Sequence, residues 1–548
     1  MIMVVPWLGW LALMPMSWAS HGVPPTFDPS AQTVFTDEQF YCPDYSGHSL
    51  GHNKPISKGR YRLPYQRPIP GCRTFNLTEV EDTILSMKEA IRDPDLFRLF
   101  ENCFPNTLDT AITWKGKAKG THGRKDEELT FITTGDIPAM WLRDSANQLQ
   151  SYISLLQPSS SPSSLASVFR GAINLQSRYI LSAPHCNAFH PPPEANLTSP
   201  PTFSSSRDYV SPIPPSSVFE CKYELDSLAA FLQLSHDYHS TTHDTAFFAT
   251  HQWVSTVETI LNTTTALLAG TYAPDGTPSV APYTFQRSTS SAYETLSNTG
   301  VGSPVKAGTG MVRSAFRPSD DACTYQLFVP GNMMFSQYLG LCAGIMRKLG
   351  RRQTARRMTE MAEGIREGVE KHGRTWHRRW GRIYAYEVDG FGGVSVMKKG
   401  LGKGLTVSLA QDDANIPSLL SAPLSGYLDR NDPIYQNTRR FVLSQDNPYY
   451  MFGPVINGTG GPHVGPGMTW PMSLIVRIMT SDDDAEIVSS LKQILSSTNK
   501  LGLIHESVNS HDASIWTRQW FSWANGLFGQ MMLDLRERKP YLLTLSYQ

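Results

Sequence analysis

The chain has 548 residues, with 48 lysines and arginines balancing 48 aspartates and glutamates. A neutral chain of only 18% charged residues offers no broad basic surface to a polyanion, which argues against nucleic acid as a partner. Its 40% hydrophobic and 11% aromatic residues suffice for one large core, and past the first twenty or so residues no apolar run is long enough to span a bilayer.

Residues 1–19 hold a short apolar core ending in Ser17-Trp18-Ala19, with small residues at −3 and −1 of an expected cleavage after Ala19. A secreted product with no stable membrane insertion follows; the lack of Lys or Arg near Met1 leaves an uncleaved, Golgi-type anchor as the alternative. Sequons at Asn76, Asn196, Asn262 and Asn457 agree with the secretory route. The seven cysteines (42, 72, 103, 186, 221, 323 and 342) show no metal-binding spacing, so disulfides plus at least one free thiol are expected.

Residues 20–73 are rich in Pro, Gly, Ser and Tyr and read as an extended arm lying on a domain that occupies 74–548. Apolar spacing predicts a long helix from Glu79 to Phe104. Further helices are predicted over Ser145–Leu156, Leu165–Leu181, Tyr223–Tyr238, Phe247–Leu268, Asn332–Leu349, Arg352–His372, Pro471–Met479, Ala485–Leu495 and Asn525–Leu535. Ser/Pro-rich stretches at 158–164 and 191–217 read as surface inserts that need not pack. Strand-like runs are few and short. The conspicuous polar and aromatic residues fall in the connections, the layout of an all-α-dominated toroid with its site formed by loops at one end.

The block TGDIPAMWLRDSANQ gathers Asp136, Trp141, Arg143 and Asp144 at a helix start. Carboxylates and a guanidinium pair with sugar hydroxyls while an aromatic face packs on sugar C–H groups; an ion-paired cap beside a core Trp explains the same residues without a ligand. ECKYELDSLAAF places Glu220, Glu224 and Asp226 at another helix start, followed by apolar residues, where partial burial would raise a carboxyl pKa and keep an acid protonated. Near the C-terminus His505, Glu506, Arg518, Trp520, Trp523 and Asn525 lie close together, a setting in which Glu506 can activate a water and Trp520 or Trp523 can floor a sugar pocket. Five loops between these blocks contribute Asp320, Asp321, Asp412, Asp413, Asn415, His463 and Trp470 as candidates for hydroxyl contacts and stacking. The Asp-Asp pairs raise a calcium site, but no calcium-loop spacing accompanies them.

Taken in order, TGDIPAMWLRDS, YELDSL, FRPSDDA, YEVDGFG, DDANIPSLLS, NTRRFVLSQDNPYY, GGPHVGPGMTWPMS, HESVN and TRQWFSWANGLFG resemble glycoside hydrolase family 125, the exo-α-1,6-mannosidases, from about Thr134 to Gly529. The resemblance implies a six-fold α/α barrel and a metal-independent, inverting hydrolase without cofactor. It implies Asp226 as general acid, from YELDSL, and Glu506 as general base, from HES. A mannose-containing oligosaccharide or glycan is the expected partner, and the protein is expected to be a monomer. The alternatives are a non-catalytic mannan-binding protein with the same pocket, and another α/α-barrel exo-glycosidase such as a calcium-dependent α-1,2-mannosidase.

Overall fold

The computed structural model describes residues 42–120, 125–197, 208–393 and 412–548. The expected signal segment 1–19, arm residues 20–41 and insert residues 198–207 lie outside the described residues. Residues Pro43–Gln548 form one compact unit.

Helices dominate, with strands confined to sheets of two or three. The helix Leu142–Gln150 packs on Leu225–Thr242, which packs on Val329–Lys348; on its other side Leu142–Gln150 meets Ser522–Arg538, which meets Pro471–Met479. Outside these lie Pro94–Cys103, Leu165–Ser182, Trp253–Ala266, Arg352–His372 and Asp484–Ser496, an inner and an outer set of the α/α type. The main apolar cluster runs through both sets, and a small separate one gathers Ala139, Trp141 and Ala188.

Several outer helices start on short polar caps. Asp93, Ser164 and Asp483 accept from the first free N–H groups of Pro94–Cys103, Leu165–Ser182 and Asp484–Ser496. The inner helices have no side-chain cap. Their N-cap residues are Trp141, Glu224, Phe328, Trp470 and Phe521, an aromatic or acidic side chain in each case. Tertiary contacts satisfy some of the freed donors: Leu142 N–H donates to the Asn187 carbonyl (3.0 Å) and Leu225 N–H to Ser314 Oγ (2.9 Å). Of these N-cap side chains, Trp141, Trp470 and Phe521 line one cavity.

The predicted helix Glu79–Phe104 is two helices, Thr78–Ala90 and Pro94–Cys103, because Pro94 cannot donate into a continuing helix and Asp93 caps a new one. Phe247–Leu268 likewise divides into Thr245–Thr250 and Trp253–Ala266. Pro433–Val442, which is not among the predicted helices, is a helix capped by Asp432. The insert at 191–217 packs at its C-terminal end: Asp208–Ser211 pairs with Thr284–Arg287, and Arg287 Nε lies 2.7 Å from Asp208 Oδ1. Arm residues 43–73 lie on the body through Gln66 Nε2, which donates to the Leu501 carbonyl (2.8 Å), and through buried Arg67, ion-paired with Asp109 at 2.7 Å. Among the described residues no helix is long and apolar enough to cross a membrane.

Candidate active site

Two small sheets gather the site. In one, antiparallel Met468–Thr469, Ser507–Asn509 and Trp516–Thr517 pair with Thr469 opposite Val508 and Ser507 opposite Thr517, so Trp470, Glu506 and Arg518 emerge side by side at one end. In the other, Met140–Trp141, Ala188–Phe189 and Val218–Glu220 bring Trp141 beside Asn187 and Lys222. A Cys186–Cys221 disulfide ties the segment before Ala188–Phe189 to the residue after Val218–Glu220. Cys103, Cys323 and Cys342 are buried free thiols.

Between these sheets lies a cavity of about 350 Å³. Of the residues singled out from sequence, Trp141, Arg143, Asp144, Asp320, Asp321, Asn415, His463, Trp470, Glu506 and Arg518 line it. The indole N–H groups of Trp141 and Trp470 have no hydrogen-bond partner within the protein, leaving two donors beside aromatic faces.

Arg143 is the hub of the floor. Its Nη1 lies 2.6 Å from Glu224 Oε2 and 3.4 Å from Asp226 Oδ2, its Nη2 lies 3.1 Å from Asp144 Oδ1, and its guanidinium sits over the Trp523 ring. Burial pushes Asp144 up to about 6 against the pull of Arg143. Across the cavity, His463 Nδ1 meets Asp321 Oδ2 at 3.0 Å; burial works against the imidazolium, but Asp321 outweighs it and His463 is raised to about 9. Glu506 accepts from Thr517 Oγ1 (3.0 Å) and faces Arg518 Nη1 at 3.5 Å. Neighbouring His505 stacks on Trp516 and is held neutral, burial lowering it to about 4.

Five expected site residues do not line the cavity. Asp226 has 0% exposure, lodged behind Arg143 in the first turn of its helix, where burial raises it to about 6 against Arg143. Asp412 is a buried backbone anchor, accepting from Leu419 N–H (2.9 Å) and Leu420 N–H (3.3 Å); burial lifts it to about 8. Asp413 accepts from Ser319 Oγ at 2.6 Å and so holds the cavity loop from behind. Asp136 is the salt-bridge partner of Arg518, with Arg518 Nε donating at 2.8 Å. Trp520 points away, its ring edge-on to Tyr45 and packed where Gly135, at φ +130°, has no Cβ to obstruct it. Trp523 is fully buried, so Phe521, between these two tryptophans, provides the apolar wall.

Sequence reading missed Thr134, Ile137, Lys222, Tyr293, Glu294, Pro318, Ser319 and Phe521 in the lining. Most sit inside blocks already singled out. Tyr293 and Glu294 do not; they arrive from the irregular stretch before Val329, fixed where Ala322 N–H donates to the Tyr293 carbonyl (2.7 Å). Among the described residues no group of three or more His, Cys, Asp or Glu is placed to hold a metal ion.

The arrangement can grip a sugar through paired hydroxyl contacts and aromatic faces, and it presents open carboxyl edges at Asp320, Glu506 and Glu294, the last held by Thr289 Oγ1. The side chains of Asp320 and Glu506 are 30% and 16% exposed, against 5% for Asp144 and 2% for Asp321.

The family of metal-independent α-mannosidases, glycoside hydrolase family 125, matches residues 93–533. The meiotically up-regulated gene 157 protein of Schizosaccharomyces pombe is 46% identical over 505 residues, covering 92% of this chain and 94% of its own. A Streptococcus pneumoniae member of a family of metal-independent α-mannosidases, solved as a non-productive complex with α-1,6-mannobiose, superposes with a TM-score of 0.71 at 31% identity. That alignment covers 85% of this chain and 100% of the other.

Proposed function

The chain belongs to glycoside hydrolase family 125, the metal-independent α-mannosidases, and from that premise we propose that it removes terminal α-1,6-linked mannose from the non-reducing end with inversion. The observation that carries the mechanism is that Glu506 and Asp320 present open carboxyl edges to one sugar-sized cavity, whereas a third lining carboxyl, Glu294, is engaged by Thr289 Oγ1. Inversion requires such a pair flanking the scissile bond, about 6.5–9.5 Å apart, with room for a water. Glu506 takes the proton of the attacking water. Asp320 protonates the leaving oxygen, the role expected of Asp226, which is sealed behind Arg143 and serves as its counter-ion.

Mannose sits against Trp141, Trp470 and Phe521. Arg143, Asp144, Asp321, Asn415, His463 and Arg518 meet its hydroxyls, with His463, protonated at neutral pH, held in place by Asp321. A closed cavity floor fits exo action, because only a chain end can enter.

The six-fold α/α barrel belongs to the same reading. The five inner helices, with the short turn Ala422–Ser425 packed against Val329–Lys348, supply six inner positions within a single catalytic domain over 74–548. Secretion after cleavage at Ala19 is supported by the exposure of Asn76, Asn196 and Asn262. Incubation with α-1,2-, α-1,3- and α-1,6-mannobiose in EDTA tests the function: mannose should be released from the α-1,6 isomer. Cleavage of another isomer alone, or loss of activity in EDTA, contradicts it.

A further inference from the structure

Asp320 is unusual in its backbone and in its neighbours. It lies in the left-handed region at φ +64°, which turns its side chain out of the FRPSDD loop toward a second carboxyl, Glu224. Asn187 bridges the two, its Nδ2 donating to Asp320 Oδ1 at 2.9 Å and to Glu224 Oε1 at 3.4 Å. The bridge is itself held: Asn187 Oδ1 accepts from Lys222 N–H at 3.0 Å, and Cys186 before it is cross-linked to Cys221. Glu224 also accepts from Ser227 Oγ at 3.0 Å, and its side chain has no exposed surface.

We propose that Glu224 is the positioning residue of the general acid, sharing one proton with Asp320 so that the pair delivers that proton to the leaving oxygen. This rests on Asp320 being the acid. Two adjoining carboxyls, one of them fully buried, cannot both ionise cheaply, so the pair retains a proton that one carboxylate beside Arg143 would lose. The groups facing the pair are Arg143, Lys222, His463, Asp226 and Asp144. Burial raises Glu224 well above the carboxylate range despite Arg143, with Asp320 and Asp226 adding to the rise. For Asp320 burial is outweighed by Arg143, then Lys222 and the hydrogen bond with Glu224, holding it at about 2, so the proton rests on Glu224.

During turnover the C1–O bond breaks and its electron pair goes to the leaving oxygen. The proton passes from Glu224 to Asp320 and from Asp320 to that oxygen. Water bonds to C1 and yields a proton to Glu506, which returns through solvent to the pair.

The test compares Glu224→Gln with wild type on α-1,6-mannobiose and on 2,4-dinitrophenyl α-mannoside, whose leaving group needs no proton. On mannobiose kcat should fall about 10²-fold or more, and the basic limb of kcat/KM should move down by roughly one pH unit. On the activated substrate the rate should stay within about threefold of wild type. Glu224→Asp, which keeps the proton, should hold the basic limb within about half a unit of wild type. Equal loss on both substrates with an unmoved limb overturns the proposal, as does a displaced limb in Glu224→Asp. Asp320→Asn, run in parallel, separates the two failures. If it shows no preference for the activated substrate, the acid assignment itself is wrong; if it does and Glu224→Gln does not, only the role of Glu224 falls.

Discussion

Arg143 Nη1 lies 2.6 Å from Glu224 Oε2, with 4% of one side chain and none of the other exposed. The same guanidinium faces Asp144 and Asp226, so it donates to Glu224 and is the common counter-charge of the other two buried carboxyls. Breaking a buried pair from one side leaves an unpaired charge and costs about 3–5 kcal/mol. Arg143→Met should lower stability by roughly that amount in urea unfolding. Arg143→Lys should recover part of it, since an ammonium replaces the charge but not the planar fork.

Asp320→Asn should lower kcat on α-1,6-mannobiose by about 10²–10⁴-fold while sparing 2,4-dinitrophenyl α-mannoside to within about tenfold. Glu506→Gln should slow both substrates to a similar extent, because a water must be activated whichever group leaves. Asp226→Asn should show no leaving-group discrimination. Steady-state rates of the three variants on the two substrates check the assignment.

His463 and Asp321 tie stability to pH in a defined direction. The imidazole's folded value of about 9 is above its ordinary 6.5, so its contribution is complete below about 6.5 and disappears as pH rises through 9. Unfolding of wild type and His463→Gln should therefore differ most below pH 6.5 and converge above pH 9. A gap that widens with pH would mean that the histidine is neutral in the folded protein.

The Cys186–Cys221 cross-link closes a separation of 35 residues and flanks both Asn187 and Lys222. The double substitution Cys186→Ser/Cys221→Ser should cost about 2–4 kcal/mol by thermal unfolding. It should also reduce kcat on mannobiose more than on the activated substrate, because Asn187 positions the acid pair.

Long amphipathic segments were legible. Arg352–His372 and Pro471–Met479 run as their apolar spacing predicts, since nothing in tertiary contacts opposes the pattern. The break at Asp93-Pro94 and the start at Asp432-Pro433 were both written as a cap followed by proline, a local signal that a long polar or apolar stretch obscured. At the site, the blocks identified which loops gather but not which side chains turn inward. The apolar residues after Asp226 foretold burial, and it is complete. Asp320 reaches the cavity through a positive φ that no spacing rule encodes. Phe521 displaces its tryptophan neighbours because it occupies the N-cap position of its helix, and the side chains on either side turn into the core.

The most direct test of an inverting α-1,6-mannosidase built on Asp320 and Glu506 is proton NMR of the first mannose released from α-1,6-mannobiose, with EDTA present and before mutarotation. The account predicts that the β anomer appears first. An initial α anomer would mean retention through a carboxylate nucleophile and would contradict it.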